Sequence, residues 1–422
     1  MKAAELLACL RDARERSLLL IEDLDDAQWL GPTLPIVNPP RWEIGHVAWF
    51  QEHWVLRHLR GLPSLRADAD ELYDSSEVAH DSRWRLRLPD RRATLDYAAG
   101  VLEQVSRRLA DARDLDADER YFHLLALFHE DMHGEAFAYT RQTLGYAPPA
   151  IPPAIPGGEP LAGGPCPGDV EVPGGTWLLG AKPDPDAGFV FDNEQWAHEV
   201  EIAPFRIARA PVTQAEFLAF VEDKGYERRE LWTEEGWRWR SDARALHPFH
   251  WRRDSAQGWM RRRYDAWVPL DAHRPAHCVN AHEADAWCHW ARRRLPTEAE
   301  WECASGPARF PWGDSPPTPE RALLDLRAVE PCEVGAHAAG DSPRGLRQMI
   351  GNVWEWTATT FAPYPGFAPG PYRDYSQPWF GTHRVLRGGS FATRSRLLRR
   401  TWRNFFTPDR RDVLAGFRTC AR

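Results

Sequence analysis

Two histidines, His129 and His133, could bind a metal ion, because they are four positions apart in a predicted helix from Asp118 to Leu144. Side chains at this spacing lie on neighbouring turns of one helix face, where two imidazole nitrogens can hold one divalent cation. The same spacing also fits a pair of hydrogen-bonded histidines in a protein core. A metal site therefore requires a further ligand from elsewhere in the chain.

The third ligand is expected from a neighbouring helix. Glu135 falls about 200° around the helix axis from His133, so we expect it to support the site rather than to bind the metal. His46 is the best candidate, because it lies in an aromatic stripe that should face the interior of a helical bundle. His53, two turns later on the same stripe, is the alternative. Three neutral imidazoles would leave coordination positions open for substrate and O2, as non-haem iron sites require.

Residues 1–146 are predicted to form a four-helix bundle with inward-facing polar ligands. Asn38 and the two prolines after it predict the start of the second helix, since asparagine caps helix N-termini and proline suits the first turn. A long connection, residues 61–90, follows this helix, and connections of this length are often functional. The other predicted helices are Ala3–Leu24, Arg91–Ala112 and Asp118–Leu144.

The composition changes after residue 146. Residues 147–169 are rich in proline and glycine and poor in periodic apolar positions, which is typical of a linker. Residues 170–422 combine short β-like runs, many tryptophans and glycine-rich turns with two predicted helices, Thr213–Lys224 and His282–Arg293. This pattern predicts a second domain of the α+β class.

Bulk composition excludes several classes of protein. Acidic residues outnumber basic ones, 61 to 53, so the chain has no global electrostatic footprint for nucleic acid. No apolar run approaches the roughly 20 residues of a membrane span, and the charged N-terminal segment does not resemble a secretory signal. The seven cysteines include no CxxC pair, so neither a disulfide framework nor a zinc ribbon is indicated. We therefore expect a soluble, cytoplasmic protein.

The motif His129-x3-His133-x-Glu135, with an upstream histidine in the setting Trp-Glu-Ile-Gly-His46, resembles the iron-binding bundle of the ergothioneine sulfoxide synthase family. The C-terminal domain independently resembles that family's formylglycine-generating-enzyme-like domain. The resemblance implies a multidomain α and α+β fold: a DinB-like four-helix bundle, then a formylglycine-generating-enzyme-like (C-type-lectin-like) α+β domain. The matching C-terminal stretches are Val172-Pro-Gly-Gly-Thr-Trp177, Pro211-Val-Thr-Gln-Ala-Glu-Phe217, Arg294-Leu-Pro-Thr-Glu-Ala-Glu-Trp301, Gly351-Asn-Val-Trp-Glu-Trp356, Arg387-Gly-Gly-Ser390 and Ala415-Gly-Phe-Arg418.

The resemblance implies an Fe(II)- and O2-dependent enzyme that joins a chalcogen nucleophile to hercynine, the trimethylated betaine of histidine, at the imidazole C2 carbon. It makes His46, His129 and His133 the iron ligands, with the open positions left to O2 and to a thiolate or selenolate. It also implies a betaine pocket at Asn404 and Phe405, because the face of an aromatic ring attracts a quaternary ammonium. Met132 is expected nearby. The proton donor stays open among three tyrosines, Tyr364, Tyr372 and Tyr375.

The expected site for the second substrate departs from the family. Members that use γ-glutamylcysteine carry an acid where this chain has Phe406, and an apolar ring cannot pair with the ammonium group of that substrate. They also carry two arginines, three positions apart, where this chain has His80 and Arg83 and so only one permanent cation. We therefore predict a donor with fewer charges, with His80 and Arg83 hydrogen-bonded to its hydroxyl groups.

The predicted function is C–Se bond formation between hercynine and a selenosugar, giving selenoneine. The alternative is an ergothioneine-type synthase with a thiol donor, such as γ-glutamylcysteine or cysteine. Two interpretations belong to other classes: a non-catalytic metal- or ligand-binding module, and a formylglycine-generating oxidase. The oxidase is disfavoured because its chemistry uses a cysteine pair and residues 387–404 contain no cysteine. The expected partners are small molecules, and neither nucleic acid nor membrane.

Overall fold

The computed structural model describes residues 2–112, 114–151, 161–183 and 189–422, and these residues form two compact units. The first comprises the chain up to Ile151 together with Phe189, and the second comprises residues 161–183 and 190–422. Part of the predicted linker, residues 152–160, lies outside the described residues. In the described ranges, no helix combines the length and the apolar character that crossing a membrane requires.

The first unit is α-helical. Its longest helix, Ala117–Leu144, has 28 residues and carries the histidine pair. A π-helical segment, Glu52–His58, continues directly from the helix that carries His46. The helices are α1 Ala3–Leu19, α2 Asp26–Leu30, α3 Pro40–Gln51, α4 Ala69–Tyr73, α5 Arg91–Asp111 and α6 Ala117–Leu144.

Helix α6 begins and ends where its sequence provides caps. The Asp116 side chain accepts a hydrogen bond from the Glu119 amide at 2.8 Å, and the Glu119 side chain accepts one from the Asp116 amide at 3.1 Å. Such a reciprocal pair satisfies two amide groups that the first turn leaves open. Gly145 ends the helix in the left-handed conformation, with φ of 69°. The predicted helix is therefore confirmed, with its start one residue earlier.

Helix α1 ends at Leu19, so the predicted end at Leu24 was wrong. The Leu20 carbonyl accepts a hydrogen bond from Arg141 Nη1 at 2.8 Å, and the same guanidinium forms an ion pair with Asp23 at 2.7 Å. Arg141 is fully buried. These long-range bonds to the end of α6 replace the carbonyl bond that a continuing helix would make, and an apolar stripe does not reveal them.

Helix α3 begins at Pro40, with Pro39 and not Asn38 in the capping position, so the predicted cap was wrong. The Asn38 side chain instead accepts a hydrogen bond from Arg83 Nη1 at 2.6 Å. The connection that contains Arg83 is partly ordered as α4 and as a short 3-10 turn, His80–Ser82. Asn38 thus anchors this connection rather than the helix.

Helices α1 and α3 both pack against α5 and α6. A buried ion pair joins α1 to α6, since Arg14 Nε donates to Glu130 Oε1 at 2.7 Å and Arg14 Nη1 donates to the Ala98 carbonyl at 2.6 Å. Glu130 directly follows His129. The ion pair therefore fixes the turn of α6 from which the histidine pair projects.

The second unit is an α+β domain with short strands and long irregular segments. The strands are β1 Asp169–Val172, β2 Gly175–Leu179, β3 His198–Ile202, β4 Phe205–Ala208, β5 Trp251–Asp254, β6 Gly258–Arg263, β7 Ala266–Pro269, β8 Arg293–Arg294, β9 Trp354–Thr360, β10 Arg384–Arg387, β11 Asn404–Phe406, β12 Ala415–Gly416 and β13 Cys420–Ala421. They form sheets with the orders β1-β4-β13-β8, β11-β10-β9-β12, β2-β3 and β5-β6-β7.

The helices of the second unit are α7 Gln214–Glu222, α8 Glu234–Asp242, α9 Ala281–Trp290 and α10 Glu298–Ser305. The two predicted helices correspond to α7 and α9, which end earlier than predicted, before Lys224 and Arg292 adopt left-handed backbone conformations with φ of 58° and 56°. The prediction of only two helices was wrong. Helix α8 buries only Gly236 and so has no apolar stripe, and α10 spans only eight residues, little more than two turns.

Residues of the C-terminal sequence motifs build a buried network of ion pairs. Arg387 donates to Glu298 at 3.1 Å and also contacts Glu302, and none of the three is more than 2% exposed. Arg418 forms two hydrogen bonds to Glu355, at 2.6 and 2.7 Å. Breaking such pairs leaves an uncompensated buried charge, which is strongly destabilising. We therefore assign these motif residues a role in stabilising the fold of the second unit.

Candidate metal centre

Three histidines from two helices converge inside the first unit. His46 projects from α3 and His129 and His133 from α6, and one donor nitrogen from each lies within 4.8 Å of the others. The ring centroids are 5.0 Å apart for His46 with either partner and 4.5 Å apart for His129 and His133. Within the described chain, this is the group of His, Cys, Asp and Glu side chains close enough to share one metal ion.

His53, the alternative to His46, is not in this group. It lies on the π-helical segment, and its ring centroid is 5.1 Å from that of Trp49 and 4.9 Å from that of Trp54. Glu135 is buried on α6 and is not in the group either. The geometry therefore selects His46 of the two sequence candidates.

The orientation of His46 is fixed by a backbone carbonyl. Its Nδ1 donates a hydrogen bond to the Tyr73 carbonyl at 2.8 Å, which leaves Nε2 as the nitrogen that can bind a metal. Gly45 allows this approach, because a Cβ at Gly45 would lie 2.7 Å from the Tyr73 hydroxyl oxygen and closer still to two ring carbons. The Trp42 ring stacks on the His46 ring at 4.7 Å with an interplanar angle of 9°.

His133 is oriented by a carboxylate. Its Nδ1 donates to Glu43 Oε1 at 2.6 Å, and Glu43 is only 1% exposed. Glu43 was missed in the sequence analysis, although its position three residues before His46 places both side chains on one face of α3. That spacing is the signal that could have found it.

His129 is held by ring stacking. Its ring lies on the Phe50 ring with a centroid separation of 3.6 Å and an interplanar angle of 6°. His129 and Phe50 are both buried, at 4% and 1% exposed. Aromatic rings therefore pack against the two buried histidines, His46 and His129, whereas His133 is half-buried.

Burial keeps two of the histidines neutral. Loss of hydration lowers the pKa of His46 well below its usual value, and the neighbouring His133 lowers it further, against the hydrogen bond to Tyr73. Burial likewise lowers the pKa of His129, with His133 and His46 contributing. Neutral imidazole is the form that binds a metal. Three imidazole nitrogens within 4.8 Å of one another fit a first-row divalent cation.

The connection of the first unit places His80 and Arg83 in different surroundings. Arg83 is buried, its guanidinium lies 3.8 Å from the centroid of the Trp42 ring, and it donates to Asn38 and to the Val78 carbonyl at 2.6 and 3.3 Å. His80 is half-buried, and its Nε2 lies 2.8 Å from the Val37 carbonyl. Arg83 therefore reaches the wall of the metal centre through Trp42.

The second unit carries the residues of the expected betaine pocket on strand β11. The Phe405 ring stacks on the Phe361 ring at 4.0 Å, with the Tyr375 ring at 5.6 Å and the His383 ring at 5.9 Å. The Asn404 side chain accepts a hydrogen bond from the Phe405 amide at 2.8 Å. Phe405 thus belongs to an aromatic cluster in which the Tyr375 and His383 rings are inclined to its ring by 69° and 73°. Met132, by contrast, is half-buried on α6 in the first unit.

Phe406 has a cation against its ring. The Arg410 guanidinium lies 5.1 Å from the ring centroid, and Arg410 itself forms an ion pair with Asp412 at 2.6 Å. The Asp412 carboxylate is therefore paired with Arg410.

The three candidate tyrosines differ in environment. Tyr364 is buried and donates to Glu298 Oε1 at 3.1 Å, and burial and that carboxylate raise its pKa well above the usual value. Burial also raises the pKa of Tyr375, whose ring stacks on Phe191 at 4.5 Å. Tyr372 is half-buried, 6.1 Å from Tyr375 between ring centroids. Tyr364 is committed to the ion-pair network, which leaves Tyr372 and Tyr375 as the better candidates.

The chain is similar to known proteins along nearly its whole length. Residues 10–139 match the DinB superfamily, and residues 158–422 match the sulfatase-modifying factor enzyme 1-like domain. A hercynine oxygenase of Mycolicibacterium thermoresistibile is 38% identical over 438 residues, covering 98% of this chain and 94% of the relative. One of Mycobacterium tuberculosis is 39% identical over 430 residues, covering 99% of both.

A formylglycine-generating enzyme of Streptomyces coelicolor is 30% identical over 302 residues, covering 60% of this chain and 88% of the relative. The formylglycine-generating enzyme thus matches part of the chain, whereas the two hercynine oxygenases match nearly all of it. By its two domains and its near full-length similarity, the chain belongs to the hercynine oxygenase family, whose members resemble ergothioneine sulfoxide synthases.

Proposed function

We propose that this protein is a metal- and O2-dependent enzyme that acts on hercynine. The observation that carries the proposal is the cluster of His46, His129 and His133 in the helical unit of a chain whose near full-length relatives are named hercynine oxygenases. A purely structural histidine pair would not need a third histidine on another helix, with each of His46 and His133 fixed through Nδ1.

The metal proposed for this site is Fe(II), held by His46, His129 and His133. Bound there, it would supply the activation of O2. Three neutral ligands leave open positions for O2 and for a soft anionic donor, and a thiolate or selenolate is the donor type that such a metal accepts. The chain's part is to orient the imidazoles, which the Tyr73 carbonyl and Glu43 support, and to exclude water, which the aromatic wall supports.

Asn404 and Phe405 are the proposed contacts for hercynine. A trimethylammonium group is attracted to aromatic faces, and the Phe405 ring has neighbouring rings at Tyr375 and His383 that could complete an aromatic enclosure. The stack of Phe405 on Phe361 supports this role, because it holds the ring in one orientation.

The donor proposed is a selenosugar, and the product selenoneine. Phe406 offers no carboxylate to an ammonium group, and the nearby Asp412 is bound to Arg410. The Arg83 guanidinium donates hydrogen bonds to the Asn38 side chain and to the Val78 carbonyl. The surroundings of Phe406 suit a donor with hydroxyl groups better than a charged dipeptide, since a polar group left unpaired discriminates strongly between substrates.

A thiol donor is the second candidate, favoured by the near full-length similarity to the mycobacterial hercynine oxygenases. One experiment separates the two. Protein loaded anaerobically with Fe(II) is given hercynine, O2 and either a selenosugar, γ-glutamylcysteine or cysteine, and the products are identified by mass spectrometry. Turnover with γ-glutamylcysteine and none with the selenosugar would refute the selenoneine assignment.

The same preparation tests the metal site. The His46→Ala variant should fold and lose iron, whereas the matched His53→Ala variant should retain it. Consumption of O2 that requires hercynine would separate an enzyme from a non-catalytic binding module. Full iron occupancy in His46→Ala, with loss in His53→Ala, would refute the ligand assignment.

A further inference from the structure

Glu43 stands out among the acidic residues near the three histidines. It lies in the first turn of α3, three residues before His46, yet it accepts its hydrogen bond from His133 on α6, at 2.6 Å. Helix α3 thus supplies one candidate ligand, His46, and through Glu43 it also orients a candidate ligand of α6, His133. By comparison, Glu130, beside His129, is paired with Arg14 at 2.7 Å.

The carboxylate of Glu43 is buried, and among the described residues it forms no ion pair with a lysine or an arginine. Glu43 is 1% exposed, and in the described part of the chain its second oxygen, Oε2, has no hydrogen-bond partner. Its ion-pair contact is with His133, an imidazole that is neutral when it binds a metal. A buried carboxylate requires compensation by a nearby positive charge. A cation bound to Nε2 of His133 would provide it through the ring.

The acceptors of the two hydrogen bonds that orient His46 and His133 therefore differ in charge. His46 donates to a neutral backbone carbonyl, that of Tyr73, whereas His133 donates to a carboxylate. A carboxylate acceptor fixes the tautomer as a carbonyl does, and in addition makes the imidazole a stronger electron donor to its metal.

We infer that Glu43 is a positioning residue that supplies the negative charge the three neutral histidines lack, so that it strengthens metal binding at His133 and stabilises the more oxidised state of the metal. The inference rests on the proposed metal site and deepens it. Removal of the charge should weaken binding of a divalent cation by about 10- to 100-fold, the loss typical of a missing partner of a metal-ligating histidine. It should also raise the Fe(III)/Fe(II) midpoint potential, because a lost negative charge destabilises Fe(III) more than Fe(II).

The test compares Glu43→Gln with Glu52→Gln, both made in the full chain. Glu52 is equally buried and follows directly on α3, but among the described residues its hydrogen bonds come from Ser64, Leu65 and Tyr97. Affinity for Co2+ is measured at one pH by competition with a chelator, and the iron midpoint potential by redox titration. Neither measurement requires hercynine, a donor or turnover.

Glu43→Gln should bind Co2+ more weakly and have a higher iron midpoint potential than the wild type, and Glu52→Gln should show neither change. Glu43→Asp should show smaller changes than Glu43→Gln, because it keeps the negative charge. Wild-type affinity and potential in Glu43→Gln would overturn the inference, as would an equal loss in Glu52→Gln. Circular dichroism verifies folding, and Glu43→Asp carries the test if Glu43→Gln does not fold. Failure of the proposed metal site is distinguishable, since the wild type would then bind no Co2+ or His129→Ala would bind it as tightly.

Discussion

Gly45 is the position where the smallest substitution should disturb the candidate metal centre. It lies within α3, directly before His46, and Tyr73 packs against it. A Cβ there would lie 2.7 Å from the Tyr73 hydroxyl oxygen and closer to two ring carbons, and Tyr73 is 0% exposed. The ring therefore cannot swing into solvent. Gly45→Ala must displace Tyr73, and with it the carbonyl that orients His46.

Two opposing effects set the size of the change in stability. Replacing glycine by alanine in a helix interior stabilises by about 1 kcal/mol. Forcing an extra carbon into a packed core costs about 1–3 kcal/mol. Gly45→Ala should therefore destabilise the protein by about 0–2 kcal/mol. The matched control is Gly100→Ala on α5, where the nearest atom to a new Cβ is a Leu65 methyl at 3.7 Å. There only the propensity gain remains, so the two variants should differ by about 1–3 kcal/mol.

The assay is urea unfolding of both variants and the wild type, followed by Co2+ competition. Gly100→Ala should be as stable as the wild type or more so, with the same Co2+ affinity. Gly45→Ala should be less stable than Gly100→Ala and bind Co2+ about 10- to 100-fold more weakly, as expected when a metal-ligating histidine loses its orienting partner. Equal stability of the two variants, with unchanged affinity in Gly45→Ala, would refute the role assigned to the contact with Tyr73.

Three further predictions concern other parts of the molecule. Arg14→Met should destabilise the first unit by about 3–5 kcal/mol in urea unfolding, because Glu130 stays buried without its cation, and adding Glu130→Gln should recover much of the loss; no recovery would contradict this. Phe405→Ala should weaken hercynine binding by about 0.5–2 kcal/mol in calorimetry, and unchanged affinity would remove Phe405 from the pocket. Burial lowers the pKa of His123 from its usual value to about 4, so the unfolded chain binds the proton first and stability should fall as the pH drops from about 6.5 to 4. In His123→Gln this fall should be smaller, and an unchanged pH dependence would exclude His123 as a cause.

The sequence located the long helix and its histidine pair because both depend on local information. Helix α6 has its caps at Asp116 and Gly145, next to the segment that they bound, and a spacing of four residues fixes which side chains share a face. Where a boundary depends on a distant partner, the prediction failed. The end of α1 is determined by Arg141, more than 100 positions away.

The same distinction applies within the candidate site. His46 could be inferred from its stripe on α3, and Glu43 could have been inferred from its spacing to His46. The Tyr73 carbonyl could not, because a backbone acceptor has no side-chain signature and its position depends on the fold of the connection that contains α4. Asn38 shows the converse: its residue type suits a helix cap, yet its side chain binds Arg83 instead.

The surroundings of the proposed pocket residues on strand β11 could not be predicted from the periodicity of the sequence. Its three residues pair with β10 in the register Phe405 to Val385, so Phe405 meets Phe361 and His383 through sheet pairing and an irregular segment. A shift of one residue in that register would turn Phe406 to the side where Phe405 now lies. The proposed substrate contacts therefore depend on a register that only the assembled sheet fixes, whereas the proposed metal ligands on α6 depend on helical spacing that the sequence carries by itself. Changes of donor specificity in this family should for that reason require few substitutions on β11 and none among the three histidines.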